Sequence, residues 1–254
     1  MARFFANTFR QFSRGAIRAA IRAAIASTAL AAVTFAGSAH ALPTEQGLLV
    51  PSPIHDETSS TVDTSETAVL AAGCFWGVQG VFQHVQGVTN VVSGYAGGAA
   101  DTAQYATVSA GTTGHAEAVR IVFDPSKISY GRLLQIYFSV AHDPTEINRQ
   151  GPDRGTQYRS AIFPVSTDQA RIARDYIAQI NHADTFDKPL ATTVEPLQAF
   201  YPAESYHQDY LTLHPDLPYI VINDLPKVDN LKRLFRAVYR DSPVLTSSVR
   251  GPAR

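Results

Sequence analysis

From residue 67 onward, short apolar runs alternate with amphipathic stretches, and each run is bounded by glycine, proline or polar residues. Ala68–Ala72 reads as a short buried strand. Val78, Val81, Phe82 and Val85 recur at i, i+3, i+4 and i+7, which predicts a helix face. Val88–Ser93 and Ala116–Phe123 read as strands, and Ser129–Ala141 as a helix entered through Asp124-Pro125. A strand at Ser160–Val165 precedes a helix at Thr167–Ala183, whose apolar positions are Ala170, Ile172, Ala173, Tyr176, Ile177 and Ile180. Thr192–Leu197 reads as a strand, with helical pieces near Ala203–Leu213 and Lys227–Val238. Strands alternating with helices predict a two-layer α/β or α+β sandwich; the pattern leaves strand order open.

The ends of the chain do not share this pattern. Residues 1–41 hold Arg3, Arg10, Arg14, Arg18, Arg22 and no acid, followed by an apolar run from Ile25 to Ala39 that is short for a membrane span. Ala39-His40-Ala41 places small residues where a signal peptidase needs them, so a signal peptide cleaved after Ala41 and export, to a periplasm, are expected. A mitochondrial transit peptide, with arginines at helical spacing, or an uncleaved membrane anchor are the rival readings. Residues 42–66 are rich in Pro, Ser, Thr and acid and read as a disordered linker. The domain is expected at 67–240, with a flexible tail at 241–254. No internal repeat is evident.

Composition adds a bound. The 254 residues are 45% hydrophobic and 17% charged, enough for an ample core. From Leu42 onward there are 16 basic and 22 acidic side chains, a net charge of −6, which argues against nucleic acid as a partner.

Cys74 is the chain's only cysteine and stands two residues from its only tryptophan, in Gly73-Cys74-Phe75-Trp76-Gly77. A lone thiol can be an inert packed hydrophobe. It can also be reactive: Cys74 falls where a strand gives way to a helix, and the positive helix end and free N–H groups there favour a thiolate. Glu117 opens the apolar run Val119, Ile121, Val122, Phe123; it either faces solvent or is buried with a raised pKa, in which case it could act as a general acid. The polar loop from His142 to Arg159 carries Asp153 and Tyr158, and loops of that length are functional or disordered. Tyr95, Tyr105, Tyr201, Tyr206 and Tyr210, beside His207, are core or surface tyrosines, or they line a site that is greasy at one end and donates hydrogen bonds at the other.

The Gly73–Gly77 block resembles the signature of the A-type peptide methionine sulfoxide reductases. So do Ser93–Gly98, Gly114–Val119, Arg149–Ser160, Phe200–Leu211 and Ile222–Lys227, in the order that family has them. The resemblance spans roughly residues 68–238. It implies a ferredoxin-like α/β sandwich with a mixed sheet and flanking helices, no metal or organic cofactor, and reduction of the S epimer of methionine sulfoxide, free or in proteins. By the same resemblance Cys74 is the nucleophile, Glu117 the acid, Tyr105 and Tyr158 hold the sulfoxide oxygen, and Asp153 organises the site through ordered water. Phe75 and Trp76 form the wall for the substrate methyl, with His207 and Tyr210 in support.

Many relatives carry further cysteines that resolve the sulfenic acid left on the nucleophile. This chain has none, and Ser109 stands where some have a thiol. An external thiol is therefore expected to resolve it, from a thioredoxin-like or glutaredoxin-like protein or a small molecule. A monomer with no membrane contact after leader removal completes the reading. Two alternatives stay open: a cysteine hydrolase or acyl transferase using His115 or His207, and a non-catalytic peptide-binding module.

Overall fold

The computed structural model describes residues 47–57 and 65–246. The leader, residues 1–41, lies outside the described residues. A six-stranded sheet has the order β7-β6-β1-β3-β2-β8. Its strands are β1 (Glu66–Ala72), β2 (Val88–Ala96), β3 (Ala116–Phe123), β6 (Ser160–Ile162), β7 (Thr193–Val194) and β8 (Phe200–Pro202); β4 (Arg149–Gln150) and β5 (Asp153–Arg154) form a separate small hairpin. β6 and β7 run parallel and every other pair is antiparallel, so the sheet is mixed as expected.

The pleat divides the core in two. Leu70, Ala72, Val91, Tyr95, Val119, Ile121 and Phe123 point to the face covered by helices. Against them pack α1 (Phe75–Gln83), α3 (Tyr130–Ile136), α4 (Thr167–His182) and α6 (Leu225–Leu234). The other face is a patch of small residues, Ala71, Ala96, Ala116, Ala118 and Ala161, with Val69 and Phe163, roofed by Leu197 and Phe200. Two short helices, α2 (Tyr105–Val108) and α5 (Tyr210–Leu213), lie at the chain segments that border the site.

Several elements differ from the sequence reading. The helix expected over 129–141 is α-helical only to Ile136 and continues as a wide π-type turn, Tyr137–Ala141. That turn lets the Tyr137 hydroxyl donate to the Ala71 carbonyl at 2.8 Å and meet Ser160 Oγ at 2.9 Å. His142 Nε2 and Thr192 Oγ1 also meet Ser160 Oγ, each at 2.7 Å, so a buried polar cluster fixes the end of β1 just before Cys74. The helical piece expected near 203–213 is split by Asp209, whose backbone is left-handed at φ 58°. The edge strand β8 and the β4–β5 hairpin are too short to leave a periodic signal.

Residues 47–57 are not linker. Val50 is buried in the core, and the Tyr176 hydroxyl donates to the Pro51 carbonyl at 2.5 Å. Asp56 accepts from Gly131 N at 2.8 Å and from Ser129 Oγ at 2.5 Å, and Glu57 accepts from Tyr130 N. Acidic, polar composition lacks a core of its own, but here its carboxylates satisfy the open N–H groups at the start of α3. The near half of the expected tail is docked too: Val244 N donates to Gln83 O, and Thr246 Oγ1 donates to Val91 O at 2.8 Å. Residues 58–64 and 247–254 lie outside the described residues.

Candidate active site

Cys74 follows β1 directly. Gly73 turns the backbone with φ +83°, a conformation costly for any side chain, and Cys74 then becomes the N-cap of α1. Gly77 serves packing: a Cβ there would overlap the Asp224 carboxylate, so glycine admits Asp224 against the first turn of α1. Because β1 and β3 are antiparallel neighbours, the end of β1 lies beside the start of β3, where Glu117 sits.

Glu117 shares the odd-numbered positions of β3 with Val119, Ile121 and Phe123, and so faces the helical layer. It is 3% exposed. Phe75 N–H donates to its Oε2 at 3.1 Å. Burial pushes its pKa up to about 8, against which that single hydrogen bond works, while the Asp153 and Asp224 charges add to the rise. At neutral pH the carboxyl is uncharged.

The expected thiolate is not what the resting site holds. Cys74 is 8% exposed. Burial holds its thiol well above the ordinary cysteine value, the Glu117, Asp224 and Asp153 carboxylates reinforce this, and only the Trp76 N–H opposes it. Glu117 contributes to that rise only when ionised, so at neutral pH desolvation is the main cause. The positive helix end is outweighed because a sulfur anion would lose more hydration than one backbone N–H returns.

Tyr105, first residue of α2, and Tyr158, last residue of a 3-10 turn at Thr156–Tyr158, both lie within electrostatic reach of this pair. Each phenol is raised first by burial, with charges on Glu117 and Cys74 among the further causes. Asp153 accepts from the Tyr219 hydroxyl. Burial raises the Asp153 pKa, opposed by that hydrogen bond and by Lys227.

The aromatic wall is built on Trp76. Its ring stacks on Tyr210 at 3.9 Å and 10°, meets Tyr219 edge-on at 5.9 Å, and donates Nε1–H to His207 Nδ1 at 3.2 Å. Phe75 packs on His207 at 5.1 Å and on Tyr95 at 5.9 Å. Accepting at Nδ1 places the proton of the neutral His207 ring on Nε2. His115 Nε2 is engaged by the Ala99 carbonyl at 2.9 Å. Among the described residues neither ring hydrogen-bonds to Cys74, as the base of an acyl-transfer site must. Cys74, Phe75, Trp76, Tyr105, Glu117, Asp153, Tyr158, His207 and Tyr210 all join one cluster. Sequence reasoning missed Tyr219, Asp224 and Glu204; the last two are ordinary acids in the sequence, and only burial or close contact distinguishes them.

A family model described as peptide methionine sulfoxide reductase matches residues 66–238. The chain belongs to this family. The peptide methionine sulfoxide reductase MsrA 2 of Mesorhizobium japonicum is 62% identical over 184 residues, covering 72% of this chain and 94% of that protein. MsrA 2 of Synechocystis is 49% identical over 195 residues, covering 76% and 89%. Among solved structures, methionine sulfoxide reductase A of Corynebacterium diphtheriae is 32% identical with a TM-score of 0.53, covering 69% of this chain and 88% of that one. As a peptide methionine sulfoxide reductase, the chain carries its single thiol, its buried acid and its aromatic wall inside the matched segment.

Proposed function

We propose that this reductase acts on the S epimer of methionine sulfoxide, free or in polypeptides, by attack of Cys74 on the sulfoxide sulfur. The observation that carries the reading is the buried Glu117 carboxyl, held through its Oε2 by the N–H of the residue that follows the thiol, where burial raises its pKa. Sulfoxide oxygen is a poor leaving group until it receives a proton. A buried carboxyl that is neutral at pH 7 can give one, and general-acid help is typically worth about 10²–10⁴ in rate.

Trp76 and Phe75 receive the S-methyl group, where sulfur–aromatic contact contributes about 0.3–1.5 kcal/mol. The hydroxyls of Tyr105 and Tyr158 donate to the oxygen as charge builds on it. Cys74 releases its proton as its sulfur bonds to the substrate sulfur, and Glu117 protonates the oxygen and is then reprotonated. The S–O bond breaks, oxygen passes to Cys74 and the thioether leaves. One thiol and one sulfoxide become one sulfenic acid and one thioether, with no net proton uptake. The wall, the acid and the thiol surround the substrate sulfur asymmetrically, so only one epimer can direct oxygen to Glu117 while its methyl meets Trp76.

The sulfenic acid on Cys74 is then resolved by an external thiol through a mixed disulfide, because the chain has no second cysteine. The arginine-rich, acid-free leader ending in Ala39-His40-Ala41 supports export of the chain, with repair of oxidised exported proteins as its role. The test is incubation with each sulfoxide epimer and dithiothreitol, alongside Cys74→Ser. S-epimer reduction that Cys74→Ser abolishes is expected, and equal turnover of the R epimer would refute the reading.

A further inference from the structure

Glu204 lies between two rigid supports. It follows the edge strand β8, paired to β2 through Tyr95 and Tyr201, and it precedes the 3-10 turn Ser205–His207. The supports are pinned from behind: Ala203 N donates to Ser93 O at 2.9 Å, and buried Gln208 exchanges hydrogen bonds with the Ser93 backbone in both directions at 2.9 Å.

From that base the carboxylate reaches three parts of the site. Its Oε1 accepts from Tyr105 N–H at 2.9 Å, and its Oε2 accepts from the Tyr95 hydroxyl at 2.9 Å. His207 Nε2 lies 3.9 Å from Oε2. The helix that carries Tyr105 has four residues, no acid in its own first turn and no side-chain cap from Gln104. So short a helix cannot hold its first residue in place unaided. Glu204, 99 residues distant in sequence, supplies the missing acceptor. Tyr95 in turn pairs with Glu117 across the β2–β3 ladder. One carboxylate thus ties the tyrosine that bears on the sulfoxide oxygen to the strand pair that bears the acid.

We propose that Glu204 is a positioning residue of the reductase, a clamp that fixes Tyr105 over the Cys74–Glu117 pair through the Tyr105 backbone and the Tyr95 hydroxyl. The inference rests on the reading of Tyr105 as an oxygen-holding hydroxyl. It acts through geometry rather than charge. A glutamine can reproduce both contacts, its carbonyl accepting from Tyr105 N–H and its amide donating to the Tyr95 oxygen, whereas alanine reproduces neither.

The experiment compares Glu204→Ala and Glu204→Gln in the full chain, each with and without Tyr105→Phe. It measures kcat and KM for the S epimer of N-acetylmethionine sulfoxide and amide hydrogen exchange over residues 104–109. Glu204→Ala is expected to lower kcat about 10- to 100-fold, the cost of a misplaced catalytic contact, with Glu204→Gln restoring it to within about threefold of wild type. In the Tyr105→Phe background the alanine change should cost less than about threefold, because the hydroxyl it positions is already gone. Exchange at residues 105–108 should accelerate in Glu204→Ala, with or without Tyr105→Phe, and stay near wild type in Glu204→Gln. A fully additive loss, equal defects in the alanine and glutamine variants, or unchanged exchange would overturn the clamp. If wild type reduces neither epimer, the functional reading fails, while the exchange measurement still decides whether Glu204 holds Tyr105.

Discussion

The backbone N–H of Phe75 donates to Glu117 Oε2 at 3.1 Å, joining the first residue after the thiol to the acid strand 42 residues away. One hydrogen bond to a carboxyl that is 3% exposed offsets little of the cost of ionising it there. The acid therefore keeps its proton to a pH at which an ordinary glutamate has long lost it.

Activity should depend on that proton. Glu117 is protonated below about pH 8 and ionises above it. The rate of Cys74 oxidation by the S epimer is expected to fall as pH rises through about 8. Glu117→Gln should lower the rate by about 10²–10⁴-fold and remove that limb. Single-turnover stopped flow on both proteins from pH 6 to 10 checks it. Stability should follow the same group: its folded pKa exceeds its unfolded value, so between about 4.5 and 8 the folded state binds more protons, and stability falls as pH rises through that window. Urea midpoints should show a smaller fall for Glu117→Gln.

Much of this site is legible in the sequence. Cys74, Trp76 and the blocks around Glu117 and Tyr158 announce the family. The sequence leaves Glu117 either facing solvent or buried, and the pleat of β3 turns it inward with Val119, Ile121 and Phe123. The thiol's protonation was not legible, because a helix N-terminus is visible in sequence and the burial that overrides it is not. Tyr219 and Asp224 were missed for a related reason: they enter the site from a π-type turn, Ile220–Asp224, and its preceding residue, where 3.6-residue periodicity fails. The segment 47–57 misled because polar composition marks both a free linker and a strap whose side chains cap another helix.

Cys74 in the free protein should alkylate slowly. With its thiol held up by burial, iodoacetamide labelling at pH 7 is expected to lag behind an unperturbed cysteine and to accelerate only above pH 9. Above pH 8 the Glu117→Gln variant should label faster than wild type, because the carboxylate repulsion is gone. Rapid labelling at pH 7 would mean the helix end prevails after all.

Trp76 is the only tryptophan, stacked on Tyr210 and bonded to His207, so its fluorescence reports on the pocket alone. In a Cys74→Ser protein the S epimer is expected to change that emission saturably and the R epimer far less. Trp76→Ala should weaken S-epimer affinity by about 10-fold, through lost aromatic contact and pocket shape.

The strap should carry stability. Asp56→Ala removes the acceptor for Gly131 N–H and Ser129 Oγ–H and is expected to cost about 1–2 kcal/mol. Val50→Ala empties a buried site and should cost about 2 kcal/mol. Both are read as urea midpoints with the catalytic rate of the folded protein unchanged; no shift in either would mean that residues 47–57 do not pack in solution.

Carbon-13 NMR titration of the Glu117 carboxyl, assigned by its loss in Glu117→Gln, tests the buried uncharged acid most directly. A midpoint near 8 is expected. A midpoint near the ordinary glutamate value of about 4.3 would contradict it, because the group would then be a carboxylate at neutral pH with no proton to give.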